Sequence, residues 1–342
     1  METEASLDPH RGTARRLVND LYCPNPIIYW TDLVLTSVAG WAAFVIAAAY
    51  PFSPVTVVSI IVSVLALYRG LAFLHEISHH TSRMLPGFET AWNILIGYPL
   101  LMPSFFYVGV HGDHHKLSSY GTANDPEYLP FAKSWFMTTM FAFTAVLVPV
   151  ILLVRFLLLT PFGFLSPRLA RYLVIHASSL TMNLRYRREP TPELTWRVQR
   201  HSAVVWMLWM SAALLATCGV LPPRIFLLWF AVDALISLVN SLRTLGAHAY
   251  ESTGEPLSRA GQLFDSIDTP GMFWTELWAP VGLRYHALHH YFPGIPYHNL
   301  GEGYRRLMGT PLLAGEYRKM TNPSLIHSLR VLYRKGIRRP QP

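Results

Sequence analysis

Four uninterrupted apolar runs constrain this chain more than any other feature: Ile28 to Tyr50, Val55 to Leu74, Ala203 to Leu221 and Ile225 to Leu245. Each is close to the ~20 residues that cross ~30 Å of hydrocarbon as a helix. In lipid a backbone has to satisfy its own hydrogen bonds, so such segments fold as helices. Only "PFSP" separates the first two runs and "PPR" the last two, so each pair reads as a hairpin. Composition agrees, with 51% of the 342 residues hydrophobic and 14% charged, against about 25% charged in a soluble domain. The expected fold class is an all-α integral membrane protein built on two transmembrane helical hairpins, four spans in all.

Charge sets the orientation. The formal net charge is +8, with arginine far in excess of lysine. Arg11, Arg15 and Arg16 precede the first hairpin, seven arginines from Arg168 to Arg200 separate the two, and a further basic set begins at Arg259, whereas the tight turns hold only Arg224. Basic loops remain cytosolic, so everything except the hairpin tips is expected at that face. The positive charge therefore reads as attraction to an anionic leaflet, and no nucleic-acid partner is expected. Arginine-rich usage points to a GC-rich bacterial source and so to the inner membrane. Residues 1–24 are polar without the apolar core of a signal peptide and read as a mobile cytosolic lead-in. A single membrane domain is expected over 25–335, with a cytosolic cap from Thr81 to His201 and from His248 onward, and a tail at 336–342. Cys23 and Cys218 make neither a CxxC pair nor a disulfide framework.

Two further apolar segments do not fit as simple spans. A single crossing by Ser134 to Phe162 would move the arginines of 168–200 outside and send His248 to the face opposite His75. Pro149 interrupts it, so a re-entrant or interfacial hairpin is expected, with Arg155 snorkelling to the interface. Ala91 to Gly109, broken by Pro99 and Pro103, is expected to be buried or interfacial.

Histidines concentrate at the inner ends of the spans. "HEISHH" supplies His75, His79 and His80, "HGDHH" supplies His111, His114 and His115, and "HALHH" supplies His286, His289 and His290. Spacings of three and four residues share one helix face. With 15 histidines in 342 residues, a given H-x-x-H-H pattern is expected only about 0.03 times per chain, and it occurs twice. His248 can join the three clusters just past the fourth span. His75-Glu76-Ile77-Ser78-His79 also matches the H-E-x-x-H of zinc proteases, in which Glu76 would act as general base. A catalytic zinc needs three protein ligands, however, and that reading leaves most of the clustered histidines without a role. Nine imidazoles suit two five- or six-coordinate ions, and imidazole suits iron as well as zinc. A dinuclear centre at a membrane points to activation of O2 for attack on unactivated C–H bonds.

The order H-x3-HH, H-x2-HH and H-x2-HH around two hairpins resembles the three histidine boxes of the membrane fatty acid desaturase and hydroxylase superfamily. "YGTANDPEYLPF" (120–131) and "HHYFPGIPYHNL" (289–300) resemble the stretches that follow its second and third boxes, and the likeness runs from His75 to Leu300. The resemblance implies a non-haem enzyme with two Fe, O2 as co-substrate and two supplied electrons acting on an acyl or alkyl chain. It implies metal ligands at His75, His79, His111, His114, His115, His286, His289 and His290, with His248 as the additional ligand, and no catalytic residue beyond these. His80 is expected in the shell behind the ligands. In acyl-CoA desaturases an Asn stands one turn before the equivalent of His248; here Thr244 takes that place and Asn240 lies a turn further back. Asp233, a carboxylate within a span, is a candidate for lining or closing a substrate tunnel.

Asp113, Asp125, Glu127, Glu251, Asp268 and Glu276 could orient ligand N–H groups, but each also reads as a helix cap or a solvated charge. Arg69 and Arg243 read as snorkelling at inner helix ends, with binding of a carboxylate as the alternative for Arg243. The expected reaction is desaturation of a fatty acyl or lipid chain, with hydroxylation, or decarboxylation of a free fatty acid to a terminal alkene, as alternatives and a zinc protease as a remote one. No CxxC rubredoxin-like pair or HPGG-like haem segment is present, so an external ferredoxin, rubredoxin or cytochrome is expected to supply electrons.

Overall fold

The computed structural model describes residues 11–79 and 84–338. Among them all regular structure is helical apart from three isolated β-bridges. A short helix α1 (Arg11–Val18) precedes two long ones, α2 (Pro26–Ala49) and α3 (Pro54–His79), which form the first hairpin. Asn25 caps α2 by accepting from the Ile27 N–H at 3.0 Å, and Pro26 and Pro54 stand first in their helices, where a missing N–H costs nothing. The hairpin closes tightly because residue 40 is glycine: a Cβ there would stand 2.6 Å from Leu67 Cδ2.

Beyond α4 (Val110–His114) lies α5 (Trp135–Leu165), then α6 (Pro192–Thr217) and α7 (Arg224–Leu245). Four helices, α2, α3, α5 and α7, are long and apolar enough to cross a membrane. The segment expected as the third span belongs to α6, whose first turns hold Glu193, Arg197, Arg200 and His201 and shorten its apolar stretch. α6 and α7 meet edge to face through Trp209 and Trp229, 4.4 Å between ring centres, and Arg224 donates to the Ala49 carbonyl at 3.3 Å, joining the two hairpin tips.

α5 packs at the histidine end of the bundle along its length. Its first turn lies against α10 (Leu325–Arg338), where a Cβ on Gly336 would fall 2.6 Å from the Trp135 nitrogen. Phe141 and Val148 share a cavity wall with the last turns of α7, Phe156 packs on Phe105 and Phe106, and Phe164 neighbours Val198 near the start of α6. A 31-residue helix is ~46 Å long, so one with both ends at this level lies across the bundle rather than along it. It runs as one continuous helical segment, without the fold-back that a re-entrant hairpin requires. A 3₁₀ turn at Ala145–Leu147 precedes Pro149, which cannot donate to the carbonyl four residues back. Arg155 does not snorkel: it is buried, donating to the Ala177 carbonyl at 2.7 Å and the Thr160 hydroxyl at 2.9 Å. The 91–109 segment is buried as expected, with Trp92, Ile96, Leu100 and Phe105 fully enclosed.

Residues 11–24 differ from the expected mobile lead-in. α1 docks on α9 (Tyr297–Met308), with Ala14 and Val18 fully buried, and Arg306 donates to the Leu17 carbonyl and to Asp20. Arg69 also departs from expectation, since its guanidinium is engaged rather than snorkelling. Asp32 accepts from Arg69 at 2.8 and 2.6 Å, from the Tyr297 hydroxyl at 2.8 Å and from Thr36 at 3.1 Å, and Arg69 reaches Glu276 at 3.2 Å. This network ties α2, α3 and α9 together just above the first histidines. Replacing Asp32 by Ala leaves Arg69 with Glu276 alone and should cost about 2–3 kcal/mol, under the figure for breaking a fully buried pair because Arg69 keeps that partner and some solvent. The thermal unfolding midpoint in detergent should fall accordingly, and an unchanged midpoint would show that the network does not hold the bundle.

Candidate metal centre

The three boxes and His248 come from separate elements and meet at one end of the bundle. His75 and His79 end α3, His111 and His114 lie on α4 with His115 following, His248 stands three residues past α7, and His286, His289 and His290 lie on α8 (His286–Tyr291). Arg188 fixes the approach to α4 by donating to the carbonyls of Phe105 (2.6 Å), Val108 (3.0 Å) and Ser178 (3.1 Å). The turn that aims His248 needs Tyr250 at φ +57°, a left-handed conformation that costs a side-chain-bearing residue ~1 kcal/mol or more. Its hydroxyl donates to the Thr244 carbonyl at 2.8 Å and its ring packs between Tyr128 and Phe131, which holds the turn. Asp268 holds α8 in place, accepting from the Ala287 N–H at 2.7 Å and the Tyr317 hydroxyl at 2.5 Å.

Two sets of four result. His75, His79, His111 and His289 form one, and His114, His248, His286 and His290 the other; within each set the candidate ligand nitrogens lie within 4.8 Å of one another. Ligands ~2.1 Å from a common ion are at most ~4.2 Å apart, so both sets are close to that size. His115 belongs with the first, its Nε2 lying 3.0 Å from His111 Nε2 and 3.1 Å from His289 Nε2. All nine expected ligands are thereby brought together. His80 lies outside the described residues.

Hydrogen bonds fix which nitrogens face inward. His111 Nδ1 meets Glu127 at 2.7 Å and Tyr107 at 2.9 Å, His114 Nδ1 meets Asp125 at 2.9 Å, and His248 Nδ1 meets the Tyr120 hydroxyl at 2.8 Å with Asp265 at 3.6 Å. A carboxylate at Nδ1 keeps the proton there and turns the Nε2 lone pair inward. His248 Nε2 then faces His286 Nε2 at 2.8 Å, His286 Nε2 faces His290 Nε2 at 3.1 Å, and His114 Nε2 is buried without a partner. A proton on one nitrogen relieves one such contact and leaves the next unrelieved. A cation between the nitrogens relieves them all, so the donor set fits metal. Burial and neighbouring imidazoles push His111, His115, His248, His286, His289 and His290 well below the usual histidine range, leaving them neutral donors. His114 is the exception, because Asp125 outweighs its burial and holds it up. Burial raises Glu127 and Asp265 to about 6.

Of the acidic candidates, Asp125 and Glu127 orient histidines and Asp268 orients the α8 backbone. Asp113 instead pairs with Lys116, Glu251 with Lys335, and Glu276 with Arg69 and Arg284. Asp265, Tyr107 and Tyr120 were not foreseen; the one hint was the pair of carboxylates in "FDSID". Thr244 and Asn240 line a cavity that reaches His75. Asp233 is fully buried with neither oxygen partnered, twelve residues or ~18 Å before the end of α7, and so stands away from the histidines. Glu76 accepts from the Tyr29 hydroxyl and, at 3.0 Å, from the Tyr297 N–H, which ties one of its oxygens to α2 and α9 rather than to a water on a metal.

Asp125→Asn should keep the fold but loosen the His114 tautomer, lowering metal affinity about 10- to 100-fold, read as metal bound per chain at limiting metal; undiminished loading would remove Asp125 from this role. A family model described as fatty acid desaturase matches residues 51–321. A ceramide hydroxylase of Caulobacter vibrioides (strain NA1000 / CB15N) is 38% identical over 326 residues, covering 94% of this chain and 92% of that protein. No solved structure matches. A histidine assembly of this kind at the end of an apolar helical bundle, together with similarity over most of the chain, means that the protein belongs to the fatty acid desaturase family and is a desaturase-like membrane oxidoreductase.

Proposed function

We propose that this chain is an O2-dependent di-iron hydroxylase of a ceramide-type lipid, with its active site at the cytosolic face of a bacterial inner membrane. The observation that carries the metal chemistry is the inward convergence of Nε2 lone pairs in two histidine sets. What favours hydroxylation over the desaturation first expected is near full-length similarity to a ceramide hydroxylase. Bound iron, O2 and two electrons from a donor supply the oxidation that replaces an aliphatic C–H by C–OH, the second oxygen atom leaving as water after uptake of two protons. The chain's own residues do the rest. Asp125, Glu127 and Asp265 keep protons on the outer imidazole nitrogens. Leu71, Leu74, Met102 and Leu283, in the cavity wall beside His75, seat an apolar chain and exclude water. Desaturation is the second reading, favoured by the family's own description.

Iron analysis and mass spectrometry of lipids after turnover test both readings. About two irons per chain and a ceramide gaining 16 mass units support the proposal; a loss of two mass units supports desaturation, and a single zinc with neither product refutes both. His114→Ala should abolish turnover and iron loading in the second set. The donor, of ferredoxin, rubredoxin or cytochrome type, is expected on the arginine-rich face. Donor-coupled turnover should then fall as salt rises past about 0.1–0.2 M, and a salt-independent rate would place the docking elsewhere.

A further inference from the structure

The cavity that reaches His75, about 210 Å³ in volume, is hydrocarbon on one side only. Its other side is a strip of α7 in which Ser237, Asn240, Ser241, Arg243 and Thr244 all line the wall. Residues 237, 240, 241 and 244 share one helix face, so the strip runs ~10 Å along α7 toward the histidines. Among the described residues two of its groups lack partners: Ser237 Oγ and Arg243 Nε are buried without a hydrogen bond. Arg243 also has no carboxylate within ion-pair distance among the described residues; its guanidinium meets Asn240 Oδ1 at 3.3 Å and the Tyr68 hydroxyl, which leaves its Nε without an acceptor. Glu127, in the same wall, is already committed to His111 and Tyr107.

A bare acyl chain drawn over this strip would leave the Arg243 Nε–H and the Ser237 hydroxyl out of water without a partner, which is unfavourable. A lipid amide carbonyl and a hydroxyl would satisfy them. Resting on the lipid-oxidation reading above, we infer that Arg243 and Asn240, with Ser237 beyond them, form a polar subsite for the amide-and-hydroxyl core of the substrate. This seat brings the carbons adjoining that core, and not the middle of the tail, to the histidines. Arg243 is thus a specificity-determining residue acting by position, with no part in the oxidation itself.

The full-length, iron-loaded enzyme with an electron donor should place the new oxygen of a ceramide within a few carbons of the amide or an existing hydroxyl, as located by fragmentation mass spectrometry; oxidation in mid-tail overturns the inference. In Asn240→Leu and Arg243→Met, KM for ceramide should rise about 10- to 100-fold with iron per chain retained, while KM for a matched long-chain hydrocarbon without a polar head is much less affected. An equal rise for both lipids, or none for ceramide, overturns it. Binding of a fluorescent ceramide to the metal-free protein in detergent gives a readout independent of turnover. Weakening by the same factor in both variants supports the subsite even if the wild-type reaction proves to be desaturation, whereas unchanged binding refutes the subsite and leaves the oxidation reading intact.

Discussion

Nitrogen lone pairs that point at one another across about 3 Å repel unless something positive lies between them, and much of this structure arranges such lone pairs. His248, His286 and His290 form one chain of facing Nε2 atoms, and His111, His115 and His289 another. Neither would persist in a protein folded for packing alone, since apolar side chains of similar volume would fill the space without the penalty. The carboxylates behind the rings make the arrangement more costly without metal and more exact with it. Asp125 and Glu127 commit His114 and His111 to one tautomer, which removes the easiest escape, a proton shifted to the inner nitrogen.

Holding nine rings in that arrangement requires the chain to return to one face of the membrane after every excursion. Two hairpins achieve this, and α5 preserves it by lying across the bundle although its composition would allow it to cross. Rigid connections deliver the rings: Arg188 clamps the loop before α4, Asp268 caps α8, and the strained Tyr250 turn redirects the backbone past α7. Arg188 and Asp268 brace the cap itself, and Tyr250 couples it to a membrane helix through the Thr244 carbonyl of α7. The same coupling explains Glu76. In the H-E-x-x-H motif it reads as a base, but one of its oxygens joins α2 to α9 while the other lies 3.7 Å from His75 Nδ1.

The hairpins and the convergence of the histidines were legible because lipid and metal impose strict requirements on residue type and spacing. About 20 apolar residues and i, i+3, i+4 histidines leave few alternatives. What was not legible depends on partners far apart in sequence. Asp265 touches His248 only because Ala249 and Ile267 exchange backbone hydrogen bonds with Asp265 and Ala247, a pairing with no local signal. Arg155 and Arg69 were expected to reach for water by the ordinary rule for basic residues near span ends. Each instead found acceptors inside, Ala177 and Thr160 for one, Asp32 and Glu276 for the other. Residues 11–24 misled for a related reason. Their composition is polar, but Ala14 and Val18 fall on one helical face that matches a groove beside α9.

The last turns of α7 separate the shared chemistry from its direction. A metal oxidant held by the histidines would not itself distinguish one methylene from another, so the choice of carbon would come from the walls, and the wall opposite the hydrocarbon side is α7. Thr244 stands one turn before His248, with the Asn240–Arg243 pair beside and behind it. A purely apolar strip here would let a chain slide past the metal and would set position only by where the tail ends. A strip with unsatisfied donors penalises every register in which those donors face methylenes. The register is then set from the polar end of the lipid, a few bonds from the carbon that reacts.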